Sequence, residues 1–277
     1  MPAKHNPSPD QQWSLITDTI ARSHIEHAIV SNGNAILIHA PCENILGVLP
    51  ASCIDLVVTD PPYGQAYRTN HRVAKRDKHL LAKLTNDDQL QITMLRRIIS
   101  QLCVKVKPRG AIYWFTDDAH IGEVRSILSD SFAHIGPTLI WVKNNWSAGN
   151  LNGYAVRTEY ILFATPTTMH RMNGGRDHNV LYFSRVSGNG MIHPTEKPLS
   201  LIEYIIQRSS ASGDTVLDPF MGSGTSVQAA VLNGRRAIGI EVDPAHYHNA
   251  INRMQQLVIP VDQQPVQPPF ETLFLTP

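Results

Sequence analysis

Cysteine is scarce. Cys42, Cys53 and Cys103 are the three cysteines in 277 residues, far apart and odd in number. That argues against a disulfide framework and fits a reducing compartment. No set of cysteines and histidines at zinc-site spacing is present, so no zinc site is expected. Long hydrophobic runs are absent too. None reaches the roughly 18 to 20 residues of a membrane span, and the N-terminal MPAKHNPSPDQQW lacks the apolar core of a secretory signal. A cytoplasmic chain with no membrane partner is the expectation. Charge of one sign is also lacking. The formal net charge is +1, so the whole molecule does not advertise a polyanionic partner. What remains, 42% hydrophobic and 17% charged residues, is the composition of an ordinary globular chain, long enough to bury a sizeable core.

The charge that is present is unevenly placed. Between Gln65 and Lys83 stand Arg68, Arg72, Lys75, Arg76, Lys78 and Lys83 against a single acid, Asp77. A solvated loop would look the same. Its place directly after VVTDPPYGQAY is what makes a nucleic-acid contact the reading to carry forward.

Short, nearly continuous apolar runs alternate with helical stretches. Ala35–Ile38, Ile54–Thr59, Ala111–Phe115, Thr138–Val142, Tyr160–Ala164, Thr215–Leu217 and Arg236–Ile240 read as strands covered on both faces. Gln12–Val30, Asp88–Val106, His120–Leu128, Leu199–Arg208, Thr225–Asn233 and Pro244–Leu257 read as helices. Lys107–Gly110 is a stop-and-turn signal. Strands alternating with helices predict an α/β fold: an open, mostly parallel twisted sheet with helices on both faces. Three segments follow: an N-terminal helical extension over 1–34, a catalytic domain over 35–257, and a proline-rich tail over 258–277.

Two stretches carry chemistry. Thr215–Pro244 reads strand, glycine loop, helix, strand, acid. Gly222 and Gly224 let backbone approach a ligand. Glu241 lies 19 residues after Gly222, near the offset at which an acid meets ribose hydroxyls. The loop has neither the third glycine of a dinucleotide fingerprint nor the lysine of a phosphate loop. A nucleoside ligand without phosphates, such as S-adenosyl-L-methionine, fits it better. The second stretch is Asp60-Pro61-Pro62-Tyr63 at a strand's carboxyl end, where open α/β sheets place ligands. The prolines carry no N–H and stiffen the turn. The Asp60 carboxylate and the Pro61 carbonyl can accept both hydrogens of an exocyclic amine, while Tyr63 offers a face for stacking. Either motif alone is equally a plain βα turn; together in one chain they favour methyl transfer to a flat amine.

This pairing resembles the DNA amino-methyltransferases that modify adenine N6 or cytosine N4. TDPPYG precedes DPFMGSGT by about 160 residues, a permuted motif order similar to the β class. VKPRGAIYWF, TLIWVKNN, RTEYILFATP and HPTEKPLSLIEYII extend the resemblance from about Ala35 to Leu257. It implies a Rossmann-like methyltransferase fold, S-adenosyl-L-methionine as cofactor and double-stranded DNA as partner, with the target base flipped out of the helix. It implies Asp60, Pro61, Pro62 and Tyr63 at the base. Asp218, Phe220, Gly222, Ser223, Gly224, Thr225 and Glu241 would bind the cofactor, and Thr195, Glu196, Lys197 and Pro198 would close over it.

For DNA it implies a basic contacting loop over 65–87 and a short recognition region over 165–191, where His170, Arg171 and Arg176 are able to read base edges. One departure stands out: Ala40-Pro41 replaces the Gly-Asp of many relatives, removing an acidic cofactor contact. Asp60 favours adenine over cytosine, since the family leans toward serine there for cytosine N4. RNA or protein amine methylation, and a silent DNA-binding role, are the remaining alternatives. A homodimer and a cognate restriction endonuclease are further partners the family admits, with action at the nucleoid.

Overall fold

The structure, a computed structural model, describes residues 8–62, 88–144, 154–185 and 196–257. Tyr63, the basic residues from Arg68 to Lys83, Thr195 and the tail lie outside them. Ten strands form one mixed sheet in the order β1-β2-β10-β9-β3-β4-β7-β6-β8, with β5 also paired to β7. The strands are β1 His27–Val30, β2 Ala35–His39, β3 Ile54–Thr59, β4 Val106–Thr116, β5 His134–Ile135, β6 Leu139–Val142, β7 Thr158–Thr165, β8 Val180–Tyr182, β9 Thr215–Asp218 and β10 Arg236–Glu241. The central run β2-β10-β9-β3-β4 is parallel, while β1 and β7 run antiparallel to their neighbours.

Among the described residues seven helices pack on it: α1 Pro9–Arg22, α2 Cys42–Val48, α3 Asp88–Lys105, α4 Ile121–Ser131, α5 Leu199–Ser209, α6 Thr225–Leu232 and α7 Pro244–Gln255. The alternation of each central strand explains why its apolar runs are unbroken. Ile36, Val57, Ile112 and Trp114 face a core built with α1 to α4. Leu37, Leu56, Val58, Tyr113 and Phe115 face a second core built with α5 to α7. Both faces are dry, so both must be apolar.

Helix α2 and the short strands β1, β5 and β8 were not among the expected elements. The expected helix from Gln12 to Val30 stops at Arg22. His24 takes a positive φ of 56°, and His27–Val30 then pairs with β2. The β-branched end of that stretch gains more from the open β2 edge than from another turn of helix. Residues 8–34 are therefore not an appendage. Trp13, Ile16 and Ile20 are buried in the first core, and the Trp13 indole N–H donates to Gly33 O at 2.9 Å. Among the described residues no helix is long and apolar enough to cross a membrane.

Between β3 and β9 the sheet changes its direction of progression. β3 leads through α3 to β4 on one side, and β9 through α6 to β10 on the other. In open α/β sheets the crevice outside the carboxyl ends at such a point is where ligands bind.

Candidate active site

Asp60 follows β3 and Asp218 ends β9, so the two motifs, 158 residues apart in sequence, meet at this crevice. One cleft is lined by Asp60, Phe115, Glu196 and Lys197 together with Asp218, Phe220, Gly222, Ser223 and Thr225. Pro61 is buried and Pro62 exposed.

Asp218 lines the same cleft and is also a structural joint. Thr59 Oγ1 donates to its Oδ1 at 2.8 Å, Phe220 N donates to the same oxygen at 3.0 Å, and Ser226 Oγ donates to Oδ2. Asp218 thus ties the end of β3, the glycine loop and the first turn of α6 into one unit. Burial pushes its carboxyl up to about 6, with those hydrogen bonds working the other way. Three of its roughly four lone-pair sites are used in this joint, and Asp218 still lines the cleft, so beside any contact to a ligand it has a structural role the sequence did not announce.

Glu241 is also partly committed. Its carboxylate accepts from Gly222 N at 2.9 Å, Val242 N at 2.9 Å and Asp243 N at 2.8 Å. Of its roughly four lone-pair sites, three are used, so one hydroxyl donor can be added. Gly222 has φ +52°, and a Cβ there would meet nothing within 4 Å. The loop therefore leaves open space at the place where a ligand must come close. Gly224, with φ +86°, is instead pressed on α7, where a Cβ would stand 3.0 Å from the Ala250 Cβ. An open glycine cradle, an aromatic wall at Phe220 and an acid at the end of β10 fit an adenosyl ligand without phosphates.

The 196–198 segment is pinned at two points. Arg253 of α7 donates to Glu196 Oε1 at 2.6 Å and to Thr225 Oγ1 at 2.7 Å, and Thr225 Oγ1 donates to Glu196 at 3.1 Å. Lys197 turns the other way. Its ammonium lies 2.6 Å from Asp60 Oδ2 and 3.0 Å from Glu159 Oε2, and Lys143 reaches Glu159 Oε1 at 2.6 Å. Pro198 starts α5. The expectation that Lys197 closes over the cofactor is revised: it sits against the predicted catalytic acid. Burial raises the Asp60 pKa, and Lys197 opposes that rise. Burial also pushes Glu159 up, but Lys197 and Lys143 outweigh it and hold the carboxyl below its usual range. Glu159, Lys143 and Arg253 escaped sequence reasoning as site residues. The only local signal was an acid and a base at strand ends inside otherwise apolar runs.

The expected base readers are elsewhere. β7 runs antiparallel to β4, so the 165–185 stretch begins at the opposite end of the sheet from Asp60, about 13 Å away along the strands by their rise. There His170 Nδ1 donates to Arg109 O at 2.8 Å, and its Nε2 lies 3.2 Å from Ser209 Oγ. Arg208 donates to the carbonyls of Asn173 and Gly175 and so stitches this loop to α5. Arg171 and Arg176 are exposed on that far edge. His170, Arg171 and Arg176 do not converge with the cleft, and their assignment to base readout is corrected on that ground. At the Asp60 end, Arg185 N donates to Asn144 Oδ1 at 3.0 Å, next to Lys143 of the ion-paired set.

A family model described as DNA methylase, of the N6/N4 type, matches residues 54–253. The type II methyltransferase M.HpaI of Haemophilus parainfluenzae is 29% identical over 242 residues, covering 77% of this chain and 73% of that protein. The DNA adenine methyltransferase YhdJ of Escherichia coli (strain K12) is 27% identical over 271 residues, covering 84% and 87%. Among solved structures, the complex of M1.HpyAVI with SAM superimposes with a TM-score of 0.60 at 28% identity, covering 78% of this chain and 97% of that one.

Proposed function

Since this chain belongs to the N6/N4 DNA methylase family, we propose that it transfers a methyl group from S-adenosylmethionine to the N6 amine of adenine in DNA. The observation that carries this reading is the convergence of Asp60 and the glycine loop on one cleft at the sheet's switch point. When bound, S-adenosylmethionine supplies an electrophilic methyl group on a sulfonium.

The chain's own residues do the rest. Gly222, Ser223 and Phe220 hold the nucleoside, with Glu241 accepting from one ribose hydroxyl. Asp60 and the Pro61 carbonyl accept the two amine hydrogens, which frees the nitrogen lone pair from ring conjugation. Acceptors already in place stabilise the positive charge that grows on nitrogen. They also fix the nitrogen in line with the methyl group. Tyr63 stacks on the flipped base. Asp60, whose proton affinity burial has raised, is the nearest group to take the proton the methylated amine must lose.

Adenine is supported over cytosine by Asp60 itself and by the adenine specificity printed in the name of YhdJ. Double-stranded DNA is engaged through Arg68, Arg72, Lys75, Arg76, Lys78 and Lys83, whose phosphate contacts offset the few kcal/mol of base flipping. Chromosomal DNA as substrate puts this work in the cytoplasm, at the nucleoid. A homodimer and a cognate endonuclease belong to the same reading. The test is incubation with S-adenosylmethionine and unmethylated genomic DNA, digestion to nucleosides and mass spectrometry, with Asp60→Ala as control. N6-methyldeoxyadenosine absent from the control is expected. N4-methyldeoxycytidine would keep the mechanism and change the base. No methylated nucleoside would overturn the reading.

A further inference from the structure

Four charged groups stand in a line along the carboxyl edge of the sheet: Asp60 after β3, Lys197 before α5, Glu159 on β7 and Lys143 after β6. The spacings are 2.6, 3.0 and 2.6 Å. Signs alternate, so each cation lies beside an acid. Lys197 has a side chain only 13% exposed and rides over the Phe115 ring at 5.2 Å. Nothing in methyl transfer calls for a buried ammonium beside the acceptor of the amine, and a bare Asp60 would be the simpler device. The arrangement also restrains Asp60. With Lys197 on Oδ2, the carboxylate has one oxygen left to meet an incoming amine, and its plane is set by the ion pair.

We infer that Lys197, braced by Glu159, is the positioning residue that fixes which oxygen of Asp60 meets the target amine and keeps that carboxylate an anion. The inference rests on the reading of Asp60 as acceptor for the amine. Glu159 holds the same ammonium at 3.0 Å, a second anchor that keeps Lys197 against Asp60. Lys143 neutralises the charge that Glu159 would otherwise leave. Glu196, the neighbour of Lys197, is fixed to Arg253 and Thr225, so the same two residues link the cofactor loop to the base side. The charged groups facing Asp60 are Lys197, Glu159, Lys143 and, on β9, Asp218. Lys197 and Lys143 favour the Asp60 anion, while Glu159 and Asp218 disfavour it.

The sign of the test follows. Activity requires ionised Asp60, so it falls as pH drops through the Asp60 pKa. Removing Lys197 raises that pKa; removing the charge of Glu159 lowers it. The experiment measures single-turnover methylation of unmethylated genomic DNA against pH, using the full chain and its Lys197→Met, Lys197→Arg and Glu159→Gln variants, together with the KM for S-adenosylmethionine. For Lys197→Met the acid limb is expected to move up by about one pH unit or more, with KM little changed. Lys197→Arg should return the limb toward its original place, and Glu159→Gln should move it the opposite way. A uniform loss at every pH, no better in Lys197→Arg, would overturn the inference in favour of a simple strut. A rise in KM alone would overturn it in favour of a cofactor contact. Wild-type protein that methylates no DNA would remove both this inference and the function on which it rests.

Discussion

Asp218 shows how a residue read as a ligand can also be a joint. Its carboxyl is pushed up to about 6 by burial, above an unfolded value near 3.9. The folded state therefore holds an extra proton between about pH 4 and 6. The stability this group gives is fully present below about pH 4 and is lost as pH rises through about 6, a span of about 3 kcal/mol at most. Asp218→Asn should flatten that part of the stability curve relative to wild type, read as the difference in urea midpoints between the two ends of the window. Asp218→Ala removes the same titration and also strands Thr59 and Ser226 as buried donors, so it should be about 2–4 kcal/mol less stable than Asp218→Asn. At this scale the sequence was legible where chemistry is local. Asp60 could be placed because its own neighbours, an apolar strand and two prolines, announce it. Lys197 could not be paired with it, because a contact across 137 residues leaves no mark in either segment. His170 failed for the same reason: its partners Arg109 and Ser209 are 61 and 39 residues away.

Elements were legible where a period runs long enough. Four of the five central parallel strands and helices α3 to α7 were anticipated within a few residues, because burial on both faces or on one helical stripe writes a repeated pattern; β4 was not, since Lys107–Gly110, read as a stop and turn, lies inside it and is taken up as an irregularity in its pairing with β3. β1, β5 and β8 are two to four residues long and write none. The glycine loop gives a paired prediction at this scale. Gly224→Ala places a methyl group 3.0 Å from Ala250 at φ +86°. It should destabilise the chain by about 1–3 kcal/mol through αL strain and crowding of α6 on α7, measured by chemical denaturation. Gly222→Ala meets open space at φ +52°. It should cost about 1 kcal/mol of strain and act mainly on function, raising the KM for S-adenosylmethionine by filling the cradle.

Over the whole molecule, the two cores share one sheet, and the N-terminal segment completes the first of them. Deleting residues 1–33 exposes the β2 edge and unseats Trp13, Ile16 and Ile20. Loss of three buried apolar side chains is worth several kcal/mol, so the truncated chain should show a sharply lowered Tm or fail to accumulate in soluble form. Had residues 1–34 been an independent extension, its Tm would be unchanged. Association with DNA is the other property of the whole. Charge reversal at Arg72, Lys75 and Arg76 should reduce the slope of log affinity against log salt by about 2 to 3, read by fluorescence anisotropy over a salt series. An unchanged slope would take the 65–87 segment out of the interface.

The stems at the end of β6 and the start of β7 have a consequence for insertion. Lys143 N donates to Arg157 O at 2.8 Å, and the Arg157 guanidinium returns a bond to Lys143 O. The connection between them is thus closed at its base by the sheet, whatever its length. Closing a longer loop on such a base adds only about 0.6 kcal/mol per doubling. New segments could be spliced between Asn144 and Tyr154 while the sheet and the charged line behind it stay intact. A stem closed by the sheet itself should take inserts at that seam without loss of the fold.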